Sequence, residues 1–156
     1  MIEGRAYVLG DFVNTDILFT NKYDDRGQSL DEIAAHAIEG LPGLQSGDIL
    51  VGGNNFGAVS SRELAIKVMK RIGIRAVLAK SFARLFYRNA INNGLLASVC
   101  DTALIVQGDV LQIETAAGRI SIPQRGVTVE TPPLPSFLAR LIEAGGLLSY
   151  VRLRPD

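Results

Sequence analysis

Apolar positions recur along the chain with two different spacings, and each spacing predicts a different element. Apolar residues three and four positions apart predict amphipathic helices, and short apolar runs bounded by glycine or charge predict strands. In chain order we predict strands at 5–9 and 17–19, a helix from about Ser29, a strand at 49–51, a glycine-rich turn at 52–60, a helix at 61–72, a strand at 76–79, a helix at 82–92, strands at 104–106, 110–114 and 119–122, and a last helix that ends at Gly145 and Gly146.

Local signals fix some ends of these helices. Ser29 and Glu32 have the spacing of a capping box, in which each side chain binds the other residue's free amide. Gly73 is suited to the left-handed position that ends the helix at 61–72. Strands and helices alternate from residue 49 to 92, which predicts parallel strands joined by helical crossovers, and the later runs predict β ribbons. The fold class is therefore α/β, with layers of sheet and helices packed outside.

Composition and charge narrow the functional classes. A chain of 156 residues with 47% apolar residues fits one compact domain spanning residues 1–156. Sixteen basic residues balance sixteen acidic ones, which argues against nucleic acid or an anionic membrane as the partner. No apolar run approaches the roughly 20 residues of a membrane helix. Residues 1–5 lack the regions of a signal peptide, so we expect a cytoplasmic protein.

The chain has one cysteine and one histidine, which limits the chemistry that it can perform alone. Cys100 cannot supply the several thiolates of an iron–sulfur or zinc site, and we expect it to be buried filler. His36 lies among alanines in the first long helix, with no serine or cysteine that the sequence can place beside it, and we expect a structural or solvent role. We therefore predict no metal or cofactor site on this chain.

The turn at residues 52–63 is the densest candidate for chemistry. Ser60, Ser61 and Arg62 lie at the predicted start of a helix, where free amides and the helix dipole favour a carboxylate or phosphate. The Arg62 guanidinium can bind a carboxylate through two parallel hydrogen bonds. Ser60 and Glu63 also have the spacing of an ordinary capping box, which is the structural alternative. A nucleotide P-loop is disfavoured because Ala58 stands where that motif requires lysine.

Three blocks of sequence together form a distinctive pattern. The first is residues 10–16, with glycine and aspartate followed by Thr15 and Asp16. The second is residues 53–57 (Gly-Asn-Asn-Phe-Gly) with 60–63 (Ser-Ser-Arg-Glu), and the third is residues 79–95. Together they cover most of residues 4–96. They resemble the swivel domain of the aconitase superfamily, in the form found in small subunits of 3-isopropylmalate dehydratase and homoaconitase.

The resemblance implies a swivelling β/β/α domain that closes over a site on a larger partner subunit carrying a [4Fe-4S] cluster. It implies reversible dehydration of a small hydroxy-dicarboxylate, as in leucine biosynthesis, with Ser60 as the catalytic base. Ser61 and Arg62 would hold the substrate carboxylate, and Thr15 and Asp16 would line the site. Asp16 is equally suited to stabilising a turn.

The chain departs from the family pattern beside the implied base. Val59 stands where family members commonly have glycine, and Leu64 where they have histidine. Residues 20–27 resemble the family's substrate-selecting loop. In this segment Asp24 and Asp25 argue weakly against an apolar substituent, and Arg26 could bind a further carboxylate. The alternative is an exposed charged loop. Homoaconitate and methylated malates therefore stay open beside isopropylmalate. A binding or regulatory module that has lost catalysis is the alternative from another class.

Two arginines of the third block form a separate feature. Arg84 and Arg88 are four residues apart and share one face of the predicted helix. This spacing suits an anion or a partner surface, and it is also found on ordinary solvated faces or in buried structural pairs. The predicted cap of this helix is Ser81.

Overall fold

The computed structural model describes residues 1–20, 27–59 and 62–154, which form seven strands and six α-helices. The strands are β1 (Ile2–Gly10), β2 (Ile49–Gly52), β3 (Ala76–Ala79), β4 (Leu96–Val99), β5 (Val110–Glu114), β6 (Arg119–Ile122) and β7 (Val127–Glu130). The helices are α1 (Thr15–Phe19), α2 (Leu30–Glu39), α3 (Glu63–Ile72), α4 (Arg84–Asn92), α5 (Ser136–Glu143) and α6 (Leu147–Arg152). Single 3₁₀ turns lie at Thr102–Leu104 and Pro123–Arg125.

All seven strands form one sheet in the order β4-β3-β2-β1-β5-β6-β7. β1 to β4 pair in parallel, and β1, β5, β6 and β7 pair antiparallel. β2 and β3 are buried at every position, as expected for parallel strands covered on both faces. β5 instead alternates between buried and half-buried residues. The crossovers through α3 and α4 confirm the predicted parallel arrangement.

Alternate residues of the parallel strands face two separate cores. One core lies between the strands and helices α2, α3 and α4, and the other between the parallel and antiparallel parts of the curled sheet. In register, Tyr7, Leu50 and Val77 belong to the first core, and Ala6, Ile49 and Ala76 belong to the second. Two sheet layers with helices outside are the predicted β/β/α architecture.

Two predicted strands are wrong. Residues 17–19 belong to helix α1, because the Asn14 side chain accepts hydrogen bonds from the amides of Asp16 (3.1 Å) and Ile17 (3.2 Å) and thereby starts a helix. The predicted strand at 104–106 overlaps the 3₁₀ turn at Thr102–Leu104, which is started by the Asp101 carboxylate, an acceptor for the amide of Ala103 at 3.1 Å. Strands β4 and β7 and helix α6 were not predicted.

Two of the predicted helix ends, at Ser29 and Gly73, are confirmed. Ser29 caps α2, and both bonds of its capping box with Glu32 are formed. α3 ends at Gly73, whose φ of 99° is left-handed. α4 begins at Arg84 with Ala83 as the N-cap, so the predicted cap at Ser81 is wrong. Among the described residues, no helix has the length and apolar character needed to cross a membrane.

Candidate functional site

The loops that follow β1 and β2 are bound together at the carboxyl edge of the parallel strands. Three backbone hydrogen bonds join them: Gly53 N to Gly10 O (2.7 Å), Phe12 N to Asn54 O (2.8 Å) and Gly57 N to Val13 O (2.9 Å). The carboxyl ends of parallel strands are where open α/β sheets usually bind ligands. Two of the three sequence blocks thus meet in one place.

Asp11 fixes the same two loops through its side chain. Its Oδ1 accepts a hydrogen bond from the amide of Asn54 at 2.6 Å. A β-carbon at Gly53 would overlap this carboxylate, so glycine is needed for the loops to approach this closely. Asp11 was not among the predicted site residues, although its place in the Gly-Asp turn of the first block was a usable signal.

The loop after β3 adds a third side to this arrangement. Ser81 Oγ accepts from the amide of Asn55 at 2.8 Å, and the Ser81 carbonyl accepts from the amide of Phe56 at 2.9 Å. The Gly53 carbonyl accepts from the amide of Lys80 at 2.9 Å. Ser81 therefore joins two loops instead of capping α4, and sequence reasoning missed this because its partner is 26 residues away.

An aromatic cluster supports the loops from below. Phe56 is fully buried, and its ring lies 5.9 Å from that of Phe82 and 5.3 Å from that of Phe86 in edge-on arrangements. A side chain at Gly57, whose φ is 81°, would collide with Phe86. The loop after β2 is thus anchored in the core on one side and hydrogen-bonded on the other.

Three residues of these loops hold left-handed backbone conformations although they are not glycine. They are Phe12 (φ 52°), Asn55 (φ 51°) and Val59 (φ 65°). Asparagine tolerates this region, but a β-branched residue such as valine is a true outlier there. The Val59 side chain is 87% exposed, so packing offers no compensation for a cost of about 1–2 kcal/mol. The departure from the family glycine thus introduces strain.

Helix α3 begins later than the capping-box alternative requires. Its N-cap is Arg62 and its first residue is Glu63, whereas a capping box places the glutamate at the third helical position. The structural alternative for Ser60 and Glu63 is therefore wrong. The Arg62 side chain is exposed and does not cap the helix, so it leaves the first-turn amides of α3 to other acceptors.

The predicted site residues divide into those that the structure describes and those that it does not. Thr15 is fully buried at the start of α1, and its hydroxyl has no hydrogen-bond partner among the described residues. Asp16 follows it in the first turn and is half-buried. Ser60, Ser61 and Arg26 lie outside the described residues. The structure therefore brings the block containing Thr15 and Asp16 to the loop that leads to Ser60.

Cys100 does not suit a ligand or a nucleophile. It is 5% exposed, and burial together with the nearby Asp101 charge raises the pKa of its thiol to about 12. The thiol therefore stays protonated at neutral pH, as a buried structural cysteine does. Within residues 1–20, 27–59 and 62–154, no group of three or more His, Cys, Asp or Glu is placed to hold a metal ion.

The fold, the linked loops and the sequence together define the class of protein to which this chain belongs. Residues 9–102, which include all three linked loops, match the Aconitase C-terminal domain family, and the chain belongs to that family.

Individual relatives match over nearly the whole chain. The 3-isopropylmalate dehydratase small subunit of Halothermothrix orenii is 38% identical over 97% of this chain and 95% of its own length. The methanogen homoaconitase small subunit of Methanocaldococcus jannaschii is also 38% identical, over 99% of this chain and 93% of its own. The crystal structure of 3-isopropylmalate dehydratase from M. jannaschii superposes with a TM-score of 0.88 at 39% identity, covering 98% of this chain and 94% of that one.

Proposed function

We propose that this chain is the small subunit of a two-subunit hydro-lyase that reversibly dehydrates a hydroxy-dicarboxylate, with 3-isopropylmalate as the substrate. The observation that carries the proposal is the linkage of the loops after β1, β2 and β3 at one edge of the sheet, in a chain that matches small subunits over nearly its full length. The resemblance implies site residues after the first two of these strands, with Thr15 and Asp16 following β1 and Ser60, Ser61 and Arg62 following β2.

Ser60 is the proposed base. A serine hydroxyl removes a proton from the carbon next to a carboxylate only when its alkoxide is strongly stabilised, because the free hydroxyl is a very weak base at neutral pH. Two features beside it support this role. Helix α3 begins three residues later and contributes a partial positive charge, and the exposed Arg62 adds a full one.

Ser61 and Arg62 are the proposed ligands of a substrate carboxylate, with Arg26 as a ligand of a further one. Thr15 and Asp16 are proposed to line the site. The buried Thr15 hydroxyl supports this assignment, since an unpartnered polar group inside a protein costs about 1–3 kcal/mol and is seldom kept without a role.

We assign the [4Fe-4S] cluster to a large partner subunit. Cys100, with its buried and protonated thiol, does not fit a cluster ligand. When bound to the partner, such a cluster supplies an open iron that activates the substrate hydroxyl. This chain would then provide the base, the carboxylate ligands and a surface that excludes water from the closed site.

Homoaconitate is the second candidate substrate. The homoaconitase small subunit of M. jannaschii matches this chain at the same 38% identity as the isopropylmalate relative. Both substrates therefore belong in the activity assay.

The test is anaerobic co-expression with a candidate large subunit, followed by ultraviolet detection of the enoate formed from isopropylmalate, homocitrate, citrate and methylmalates. Turnover of isopropylmalate is the expected result, and turnover of another acid alone would reassign the substrate. A stable complex that is inactive on all of them, with an intact cluster, would favour the non-catalytic binding module.

A further inference from the structure

A groove of about 700 Å³ lies beside the linked loops, between helix α4, the ends of β3 and β4, and helix α5. Its floor is apolar and is formed mainly by Phe82, Ile91, Val99 and Leu138. Val99 is 41% exposed at the end of its strand, so part of this floor faces solvent in the isolated chain. An apolar surface of this kind typically marks a site for another molecule.

The described residues on the rim of the groove carry one sign of charge. Lys80, Arg84 and Arg88 line the rim and are exposed, and within the described part of the chain no aspartate or glutamate lines it. None of the three forms an ion pair or hydrogen bond through its side chain with the described part of the chain. Elsewhere, Arg5, Arg71 and Arg125 are paired with Asp48, Asp31 and Asp109. The unpaired cations of the rim are therefore suited to acidic groups from outside the chain.

The groove is continuous with the candidate site. Ser81 and Phe82 form one wall of it, and these are the residues that bind the Asn55 amide and contact the Phe56 ring. If the site closes over a cluster on a large subunit, this wall lies at the boundary between the two proteins.

We propose that the groove binds a segment of the large subunit in which acidic residues flank an apolar anchor. The anchor would fill the floor, and the acidic groups would pair with Lys80, Arg84 and Arg88. The inference rests on the proposed function and names one contact by which that partner is held. A small dicarboxylate fits less well, because it would pair with the cations and leave the apolar floor uncovered.

The test measures the affinity of the two purified subunits by anaerobic calorimetry at physiological salt. The groove variant combines Arg84→Glu with Arg88→Glu. The control variant combines Lys67→Glu with Arg75→Glu. The control changes the net charge by the same amount, but through exposed residues of α3 and of the amino edge of β3. We expect the groove variant to bind about 100-fold more weakly and the control to bind within about threefold of wild type, since neither Lys67 nor Arg75 lines the groove and salt screens exposed charges. Val99→Ser, which alters the floor alone, should weaken binding about tenfold.

Far-ultraviolet circular dichroism and thermal melting of each variant establish that it is folded, and the milder Arg84→Gln with Arg88→Gln replaces any variant that is not. Equal affinity of the groove variant and the control would overturn the inference while leaving the proposed function intact. Unchanged subunit affinity with a raised KM would assign the groove to the substrate and also overturn it. If the wild-type chain neither binds nor activates a large subunit, the proposed function fails and the inference fails with it.

A photocrosslinking amino acid at position 138 gives an independent readout on the assembled complex. Mass spectrometry should identify a crosslinked peptide of the large subunit that contains Asp or Glu near an apolar residue. Crosslinks to a second copy of this chain, or to a peptide without acidic residues, would contradict the proposal.

Discussion

The amino and carboxyl edges of the parallel strands differ in the pairing of their charged side chains and in their backbone conformation. At the amino edge, the buried Asp48 accepts hydrogen bonds from Arg5 Nη2 (2.8 Å) and from the amide of Gln45 (2.9 Å). At the carboxyl edge, Lys80, Arg84 and Arg88 pair with nothing in the described part of the chain, and Val59 holds a left-handed conformation.

This difference separates what stabilises the fold from what we assign to function. A paired, buried carboxylate holds two segments together and lowers the free energy of the folded state. Backbone strain and unpaired cations raise it, and they persist where they serve binding or catalysis. We therefore expect substitutions at the amino edge to change stability and those at the carboxyl edge to change activity.

Ser60→Ala should give the largest effect. If Ser60 is the base, turnover by the assembled enzyme should fall roughly 10²- to 10⁴-fold, as for loss of a general base. The thermal midpoint should stay unchanged, because the N-cap of α3 is Arg62 and no cap is lost. Steady-state kinetics and calorimetry measure both. Ser46→Ala, at an exposed position of the amino edge, is the control and should retain full activity. Wild-type turnover in the Ser60 variant would remove it as the base.

Asp48→Ala should affect stability instead. The substitution leaves the Gln45 amide without its acceptor and Arg5 without its ion pair, which should cost about 1–3 kcal/mol in the free energy of unfolding. Urea unfolding of the isolated subunit measures this. Glu114→Ala breaks the more exposed pair with Arg119 and should cost less than about 1 kcal/mol. At a temperature where the variant is folded, kcat of the complex should equal that of wild type. Similar costs for the two variants would contradict the stabilising role of the amino edge.

Arg62→Lys tests whether the exposed arginine binds a carboxylate. Lysine keeps the charge and loses the planar fork, so KM should rise about tenfold while kcat changes little. Arg75→Lys at the amino edge should leave both constants unchanged and serves as the control. A fall in kcat without a change in KM would instead assign Arg62 to the transition state.

The sequence was sufficient for the elements whose cause is local. The periodic apolar face of α3, the capping box of Ser29 with Glu32, and Gly73 depend on residues within a few positions of one another. The buried runs of β2 and β3 and their helical crossovers likewise required no distant information.

The remaining features depend on partners far away in the chain. Ser81 has the local appearance of a helix cap, but its hydroxyl accepts a hydrogen bond from the amide of Asn55. Residues 17–19 are an exception, because the Asn14 cap that makes this apolar run a helix lies only three residues before Ile17 and was a usable local signal. At the site, the residues implied by the resemblance stay predictions, and the hydrogen bond between Asp11 and Asn54 and the left-handed Val59 required the structure.

Val59→Gly should give the smallest effect, and it should raise the stability of the protein. Glycine relieves the left-handed strain at this position but adds conformational entropy to the unfolded chain, so the net gain in stability should be between about 0 and 1 kcal/mol. Val106 is also exposed but has no positive φ. Val106→Gly therefore only adds conformational entropy to the unfolded chain, and it should destabilise the protein by roughly 0.5–1 kcal/mol. Calorimetry of both variants measures this difference in stability. If Val59→Gly loses as much stability as Val106→Gly, the strain at the carboxyl edge is not real, and Val59 must be stabilised by contacts that its exposed side chain does not suggest.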